Sequence, residues 1–340
     1  MTKWLTVVKE VLPGLVVCVI LGMLAKYAAT FLPAVGAAMF AIGFGILLGN
    51  TLLDRPVFER GSKFSESRLL EYSIVLTGAT LNLGDVLSVG AGGLGFILIQ
   101  MGLTIAAAYL IGRALGFGKK FSLLMCAGNA VCGSSAIASV APVVKADGKD
   151  KGLSITIVNV TGTFLMVLLP ILSGFVYQHE VLHTSALIGG TLQSIGQVIA
   201  SAKFVSDPVV EMATVFKIIR IIFLVLVALL FSRMNTEEEG PLFARGRQEG
   251  HAKVKAGVPW FIIGFFVLCV INSLHLIPGI LSEGAHFVSS QFEIIALAAI
   301  GMRVKFKVLL SEGPKAMLYG ALTGCCQVLF ALGLIFLLLR

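Results

Sequence analysis

Long apolar stretches alternate with short charged ones along this chain. Apolar segments occupy 11–31, 33–53, 69–87, 92–115, 121–144, 153–177, 184–205, 208–232, 258–276, 292–303 and 316–339. Most approach the roughly 18 to 25 residues that carry an α-helix across about 30 Å of hydrocarbon. None shows the strict alternation of a transmembrane β-barrel strand. The pattern predicts an all-α polytopic membrane protein with about nine to eleven transmembrane helices. These would form a single transmembrane domain over 1–340, because the polar stretches at 54–68 and 233–255 are too short for a separate soluble domain.

Composition sharpens this picture. Hydrophobic residues make up 57% of the chain and charged residues 13%, against about 25% charged in soluble domains. The mean hydropathy is +0.96. The lipid bilayer is therefore the first partner the chain implies. A formal net charge of +8 raises nucleic acid as another, but the basic residues cluster between apolar segments, where membrane topology accounts for them. No nucleic-acid partner is expected. Cys18, Cys126, Cys132, Cys269, Cys325 and Cys326 fall in apolar segments without metal-ligand spacing, which predicts small buried residues rather than disulfides or zinc ligands. Lys3 and Lys9 precede the first apolar run as in a secretory signal. In a chain with this many spans, that run reads as an uncleaved first helix.

Basic residues then orient the chain, since cytoplasmic loops carry an excess of Lys and Arg. Lys3 and Lys9, Arg55 to Arg68, Arg113 with Lys119 and Lys120, Arg233 to Lys255, and Arg303 with Lys305 and Lys307 all belong inside by this rule. If every segment crossed, Lys145, Lys149 and Lys151 would lie outside. Letting 121–144 and 184–205 enter and leave on one face removes the conflict. The expectation is nine spans plus two broken or re-entrant segments, with the N-terminus cytoplasmic and the C-terminus outside.

Those two segments resemble each other. Residues 128–139 read GNAVCGSSAIAS and 190–201 read GTLQSIGQVIAS. A second pair is 78–83, GATLNL, against 301–306, GMRVKF. In the topology above each pair runs in opposite directions, as inverted repeats around a midplane site do. The plainer reading is that Gly, Ala and Ser are common in membrane helices because they allow close packing. Gly133, Ser134 and Ser135 in an apolar run favour a helix break, which exposes N–H groups and the positive end of a helix dipole to an anion. Asn129, Cys132, Gly133, Ser134 and Ser135 from the first segment, with Gln193, Ser194 and Gln197 from the second, are the expected substrate-binding residues. Hydroxyls in membrane helices also bond their own backbone, which is the structural alternative.

Lys217 and Arg220 lie within the apolar run 208–232. Each costs about 2.5 to 3.5 kcal/mol at the bilayer centre unless it meets a partner, an anion or a water-filled cavity. A spacing of three places both on one helix face, so their repulsion has to be offset. Glu71, Asp85 and Glu211 are the acids available for a purely structural pair. An anion site, or its electrostatic support, is the functional expectation. Arg303 and Lys305 are expected to snorkel towards the cytoplasmic interface, with Arg303 as an alternative pathway residue. A different class is suggested by His179-Glu180-Val181-Leu182-His183, which matches H-E-x-x-H. On a helix that spacing holds zinc between two His, with the Glu as general base. A membrane zinc metalloprotease is the alternative this motif carries, although the motif falls where a polar turn is expected.

The run from Ala127 to Val143, AGNAVCGSSAIASVAPV, closely resembles the hallmark of the YeiH-like sulfate exporter family. Residues 189–200, Lys217-x-x-Arg220, and Ala299-Ile300-Gly301-Met302 followed by Arg303 are similar to that family's other motifs, in matching order. The resemblance covers nearly the whole chain. It implies a bacterial inner-membrane secondary transporter, distantly like the cation/proton antiporter and anion transporter superfamily, with inverted repeats and a homodimer. The family's substrate label, sulfate, is tied by inference to sulfonate and sulfur metabolism. Many members carry His-Asp where this chain has Gln193-Ser194. Gln and Ser do not titrate near neutral pH, so a coupling proton has to ride elsewhere. Glu71, Asp85 or a bound sodium ion are the alternatives. The expected function is secondary active transport of a small anion, sulfate or a related sulfur oxyanion or sulfonate, by alternating access between the two broken segments. No resident cofactor, metal or catalytic residue is expected. A sodium- or proton-coupled organic anion carrier is the rival within transport, and a receptor-like or lysis-regulating membrane protein is a further one.

Overall fold

A computed structural model describes residues 2–32, 36–81, 84, 89–234, 259–304 and 314–339, with side chains from Lys9 onward. Most of the polar loop 233–255 lies outside the described residues, as do Asp85, Lys305 and Lys307. So do Asn82, Leu83 and Phe306, and with them much of the second repeat pair. All described regular structure is helical. The chain divides into two compact units, one made of 1–88, 202–207 and 259–310, the other of 89–201, 208–258 and 311–340.

The first unit contains α1 (Thr2–Phe31), α2 (Gly36–Gly49), α3 (Pro56–Phe64), a π-helical turn (Ser65–Leu69) that leads into α4 (Leu70–Thr77), α13 (Trp260–Ser273) and α14 (Gly279–Arg303). Here α14 packs on α1, α2 and α4. Small residues set the crossings. A Cβ on Gly45 would stand 2.9 Å from the Gly301 Cα, and one on Gly14 would stand 2.7 Å from the Gly61 Cα. Backbones meet directly at these points, as membrane helices do where hydrocarbon on both sides leaves packing to decide association.

The second unit contains α5 (Gly90–Ala114), α6 (Lys119–Ala130), α7 (Ser134–Val140), α8 (Gly148–Tyr177), α9 (Val181–Thr191), most of α10 (Ile195–Lys203), α11 (Asp207–Ile222) from Pro208 onward, α12 (Leu224–Ser232) and α15 (Pro314–Leu338). α6 packs on α5 and α8, and α15 packs on α5, α8 and α9.

Among the described residues, six helices are long and apolar enough to cross a membrane: Lys9–Phe31, Gly90–Ala114, Gly148–Tyr177, Asp207–Ser232, Gly279–Arg303 and Pro314–Leu338. Ala37–Gly49 and Trp260–Ser273 are shorter apolar helices. Large apolar side chains point outward, with Phe175 85% and Ile280 83% exposed. Such a surface is stable against hydrocarbon rather than water. The apolar stretch of Asp207–Ser232 is 61% buried, against 28% for that of Lys9–Phe31. The helix carrying Lys217 and Arg220 is thus the most enclosed of the six.

Two expectations from the sequence need correction. The apolar segment placed at 292–303 begins thirteen residues earlier, at Gly279, because Ser282, Glu283, His286, Ser289, Ser290 and Gln291 lower the local hydropathy without breaking the helix. Not every cysteine is buried either. Cys325 is exposed and Cys326 half-exposed on α15, whereas the other four are enclosed.

The Gly45–Gly301 crossing has a measurable consequence. Gly301→Val is expected to lower the unfolding temperature of the purified protein, since overpacking typically costs about 1 to 3 kcal/mol. Gly333→Ala, whose new Cβ would meet nothing within 4 Å, is expected to leave it unchanged or slightly raised. A Gly301→Val protein that melts like the wild type contradicts this packing.

Candidate functional site

In the second unit, α6 and α7 follow one another across three non-helical residues, as do α9 and α10. α6 ends at Ala130, where Val131 leaves helical geometry with φ −118° and ψ −96°. Gly133 then takes φ +66° and ψ −125° ahead of α7, a conformation that glycine tolerates and L-residues avoid. α9 ends at Thr191, and Leu192 is extended at φ −60° and ψ 148°. α10 then begins at Ile195 behind a reciprocal cap. The Gln197 N–H donates to Ser194 Oγ at 3.1 Å, and the Ser194 N–H donates to Gln197 Oε1 at 3.1 Å. This is the Ser-x-x-Gln capping box, which satisfies donors that a helix start would leave open.

The carbonyl ends of α6 and α9 are held by the two cations of α11. Arg220 Nε donates to Ala130 O at 3.1 Å, and Nη2 donates to Asn129 O at 2.8 Å and to Ala130 O at 2.9 Å. Nη1 donates to Gly189 O at 3.2 Å and to Leu192 O at 2.9 Å. A guanidinium has five N–H donors, and these contacts occupy all of them. Lys217 Nζ donates to Val131 O at 2.5 Å and Leu192 O at 2.7 Å. Lys217 and Arg220 are 0% and 1% exposed. Neither meets a carboxylate among the described residues. The partner that offsets their repulsion is backbone, the negative ends of two helices.

A cluster of buried amides ties the interruptions together. Gln193 Nε2 donates to Gln327 Oε1 at 3.0 Å and to Asn129 Oδ1 at 3.3 Å. Gln327 Nε2 donates to Asn129 O at 2.9 Å. Gln197 Nε2 donates to Asn159 O of α8 at 3.1 Å. A Cβ on Gly162 would fall 2.6 Å from Gln193 Oε1, so α8 approaches these amides only because it carries glycine there. Gln193 Oε1 is itself buried without a hydrogen-bond partner among the described residues.

Of the residues singled out from the sequence, Asn129, Gln193, Gln197, Lys217 and Arg220 lie together in this cluster. Cys132 sits in the first interruption, within electrostatic reach of both cations. Gly133 forms the turn. Ser134 and Ser194 are half-buried and Ser135 is exposed, so the hydroxyls lie towards the open side of the interruptions. Sequence reasoning missed Gln327, whose signal was a lone amide near the middle of the apolar run 316–339. Glu71 has partners of its own. It pairs with Arg68 at 2.7 Å and accepts from Trp260 Nε1 at 3.0 Å, in the first unit.

The His179-Glu180-x-x-His183 sequence does not form one helix. His179 has φ +61°, the helix starts only at Val181, and the Glu180 carboxylate caps it by accepting from the N–H groups of Leu182 and His183. His183 bonds Leu339 O through Nε2, and His179 Nδ1 meets Ser173 Oγ at 3.2 Å. The zinc motif requires both His on one helix face, and these two side chains instead serve different local contacts. Arg303 closes α14 in an ion pair with Glu66.

Comparison with known proteins yields a family and no substrate. The family described as Conserved hypothetical protein 698 matches residues 13–320. A UPF0324 membrane protein of Clostridium perfringens is 58% identical over 96% of this chain and 96% of its own length. One from Lactiplantibacillus plantarum is 47% identical over 98% and 99%, and YdhF of Lactococcus lactis is 41% identical over 97% and 100%. No solved structure matches.

Because Arg220 supplies every donor it has, Arg220→Lys is not a conservative change here. A lysine offers three donors in place of five, and each lost charge-assisted bond is worth about 1.5 to 3 kcal/mol. The variant is expected to unfold at a clearly lower temperature than the wild type, with Arg220→Met lower still. Equal melting of wild type and Arg220→Lys contradicts the arrangement.

Proposed function

The chain belongs to the UPF0324 membrane protein family, the YeiH-like proteins, and on that premise we propose that it is a secondary active transporter of a small anion. The observation that carries this reading is the charge balance at the interruptions. Lys217 and Arg220 bring two positive charges into a buried, apolar setting. The C-terminal ends of α6 and α9 return about −0.5 each, so with Lys217 protonated about one unit of positive charge is left, and the starts of α7 and α10 add to it. A fixed, dry excess of positive charge lowers the energy of an anion placed beside it. Two of the three Lys217 protons are bound to carbonyls, and the third remains for a ligand. Ser134, Ser135 and Ser194 line the accessible side of the same interruptions.

In this reading α6–α7 and α9–α10 are counterparts, broken helices of an inverted repeat that meet near the bilayer midplane. The sequence pairing of 128 with 190 has an offset of 62, and the non-helical stretches 131–133 and 192–194 have an offset of 61. Transport proceeds by alternating access around this centre, without a covalent step, so the protein is a carrier and not an enzyme. The substrate is a sulfur oxyanion such as sulfate, or a sulfonate. The protein sits in the bacterial inner membrane as a homodimer, N-terminus cytoplasmic and C-terminus outside, in keeping with its basic loops. The alternative is a sodium- or proton-coupled organic anion carrier, which the same positive centre would also serve.

A thermal-shift screen of the purified protein with sulfate, sulfite, thiosulfate, sulfonates and dicarboxylates separates these readings. A ligand at a hundredfold its Kd adds about 2.7 kcal/mol to apparent stability. Stabilisation by sulfur oxyanions is expected, abolished in Lys217→Ala and Arg220→Ala and weakened in Arg220→Lys. Stabilisation by dicarboxylates alone moves the assignment to the organic anion carrier. No response to any anion in the folded wild type overturns the anion reading.

A further inference from the structure

Among the described residues no carboxylate meets Lys217 or Arg220, yet α14 of the first unit buries one. Glu293 is 4% exposed and lies fourteen residues from Gly279 and ten from Arg303, about 21 and 15 Å along the helix axis. It is therefore near the middle of an apolar span, where an ionisable group is retained for function more often than for stability. Lys203 Nζ stands 3.1 Å from Glu293 Oε2 and 2.7 Å from Asp207 Oδ1. Two carboxylates thus share one ammonium, and the cluster carries one excess negative charge. Asp207 is 62% exposed at its side chain and Glu293 only 6%. Water solvates the charge of Asp207 far more than that of Glu293, so Glu293 is the acid for which neutralisation gains more.

The remaining oxygen of Glu293 is weakly held. Ser289 Oγ lies 3.4 Å from Oε1, and the same hydroxyl bonds Ser73 O at 3.0 Å and contacts Thr77 Oγ1 at 3.1 Å. One hydroxyl proton cannot serve all of these. A polar stripe also leads outward from Glu293. Ser289, His286 and Ser282 precede it at steps of four, three and four residues, which places all four on one helix face. His286 is exposed, and it lies within electrostatic reach of Asp207. Ser282, His286 and Ser290 line a surface cavity together with Thr80 of the first unit. Other charges lie on the elements packed against this helix: α3 carries Glu59, Arg60 and Lys63, and Arg60 pairs with Glu10 of α1. α1 presents Lys26, which is bound to Gln291. The π-turn presents Glu66, paired with Arg303 at the far end, and Arg68, paired with Glu71 of α4. Glu283 is exposed on α14 itself. Otherwise α4 offers Tyr72 and the hydroxyls of Ser73 and Thr77, and α2 has no titratable side chain.

We propose that Glu293 is a proton-binding site, loaded along the Ser282–His286–Ser289 face of α14. In the loading step a hydronium ion gives up a proton, one of its O–H bonds breaks to leave water, an O–H bond forms on the Glu293 carboxyl, and Lys203 stays with Asp207. The cluster passes from one net negative charge to none. The reverse step returns the proton to water and restores the Lys203–Glu293 ion pair. This assigns a titratable group to a protein whose interrupted helices carry Gln193 and Ser194. The use of that proton as the coupling ion rests on the transport reading above, whereas the site itself does not.

Infrared difference spectroscopy of the full-length protein in lipid nanodiscs, titrated from alkaline to acid pH, tests the site directly. The C=O stretch of a protonated carboxyl in apolar surroundings is expected to appear on acidification. It is expected to be lost in Glu293→Gln and kept in Glu283→Gln. Lys203→Met, which removes the ammonium partner, is expected to keep the band at alkaline pH where the wild type has lost it. This second variant decides the matter if Glu293→Gln does not fold. A wild-type protein without the band, or a band unchanged in Glu293→Gln or in Lys203→Met, overturns the proposal. The expected band behaviour in a protein that moves no anion keeps the proton site and removes only its coupling role.

Discussion

The contact between Arg220 and the open ends of two helices is what the second unit depends on. An interrupted helix leaves its last carbonyls without intrahelical donors, and inside a low-dielectric interior each bare carbonyl is expensive. Arg220 and Lys217 answer both interruptions at once, reaching carbonyls of residues 129 to 131 and of 189 and 192. The same contact solves the opposite problem, since a buried cation needs charge-assisted partners. A break in the backbone and a charge in the core are each unfavourable alone, and here each offsets the other. The balance is incomplete, because two helix ends do not neutralise two full charges, and the residue of positive charge is the chemical basis of the anion reading.

Much of this was legible in the chain. Length and hydropathy located five of the six long apolar helices and the second half of the other, Gly279–Arg303, because a helix that must cross hydrocarbon has to be written in apolar residues whatever it packs against. Lys217 and Arg220 stood out because charge in such a run is rare. Gly133 marked the first interruption, and its positive φ is the reason a glycine is there. The identity of the partners was not legible. Carboxylates are visible in a sequence and backbone carbonyls are not, so Glu71, Asp85 and Glu211 were the natural candidates and the helix ends were invisible as acceptors.

Other features failed to show for equally physical reasons. Ser194 and Gln197 were read as ligand donors, and their spacing of three is also that of a capping box, in which Ser194 Oγ and Gln197 Oε1 accept backbone N–H groups. Gln327 joins the cluster from the far end of the sequence, a contact no local pattern reports. The stretch 279–291 was omitted from a span because its polar stripe lowers mean hydropathy, and that stripe is what leads to Glu293. Averages over a window conceal one-sided helices, whereas the step of three and four residues would have revealed this one.

The central claim is that an anion rests at the interruptions of α6–α7 and α9–α10, beside Lys217. A structure of the protein with selenate, a heavier analogue of sulfate that scatters X-rays anomalously, tests it most directly. The expected result is an anomalous peak within hydrogen-bond reach of Lys217 Nζ or of the backbone N–H groups that begin α7 and α10. A bound selenate found only elsewhere, with the interruptions closed to it, would contradict the assignment.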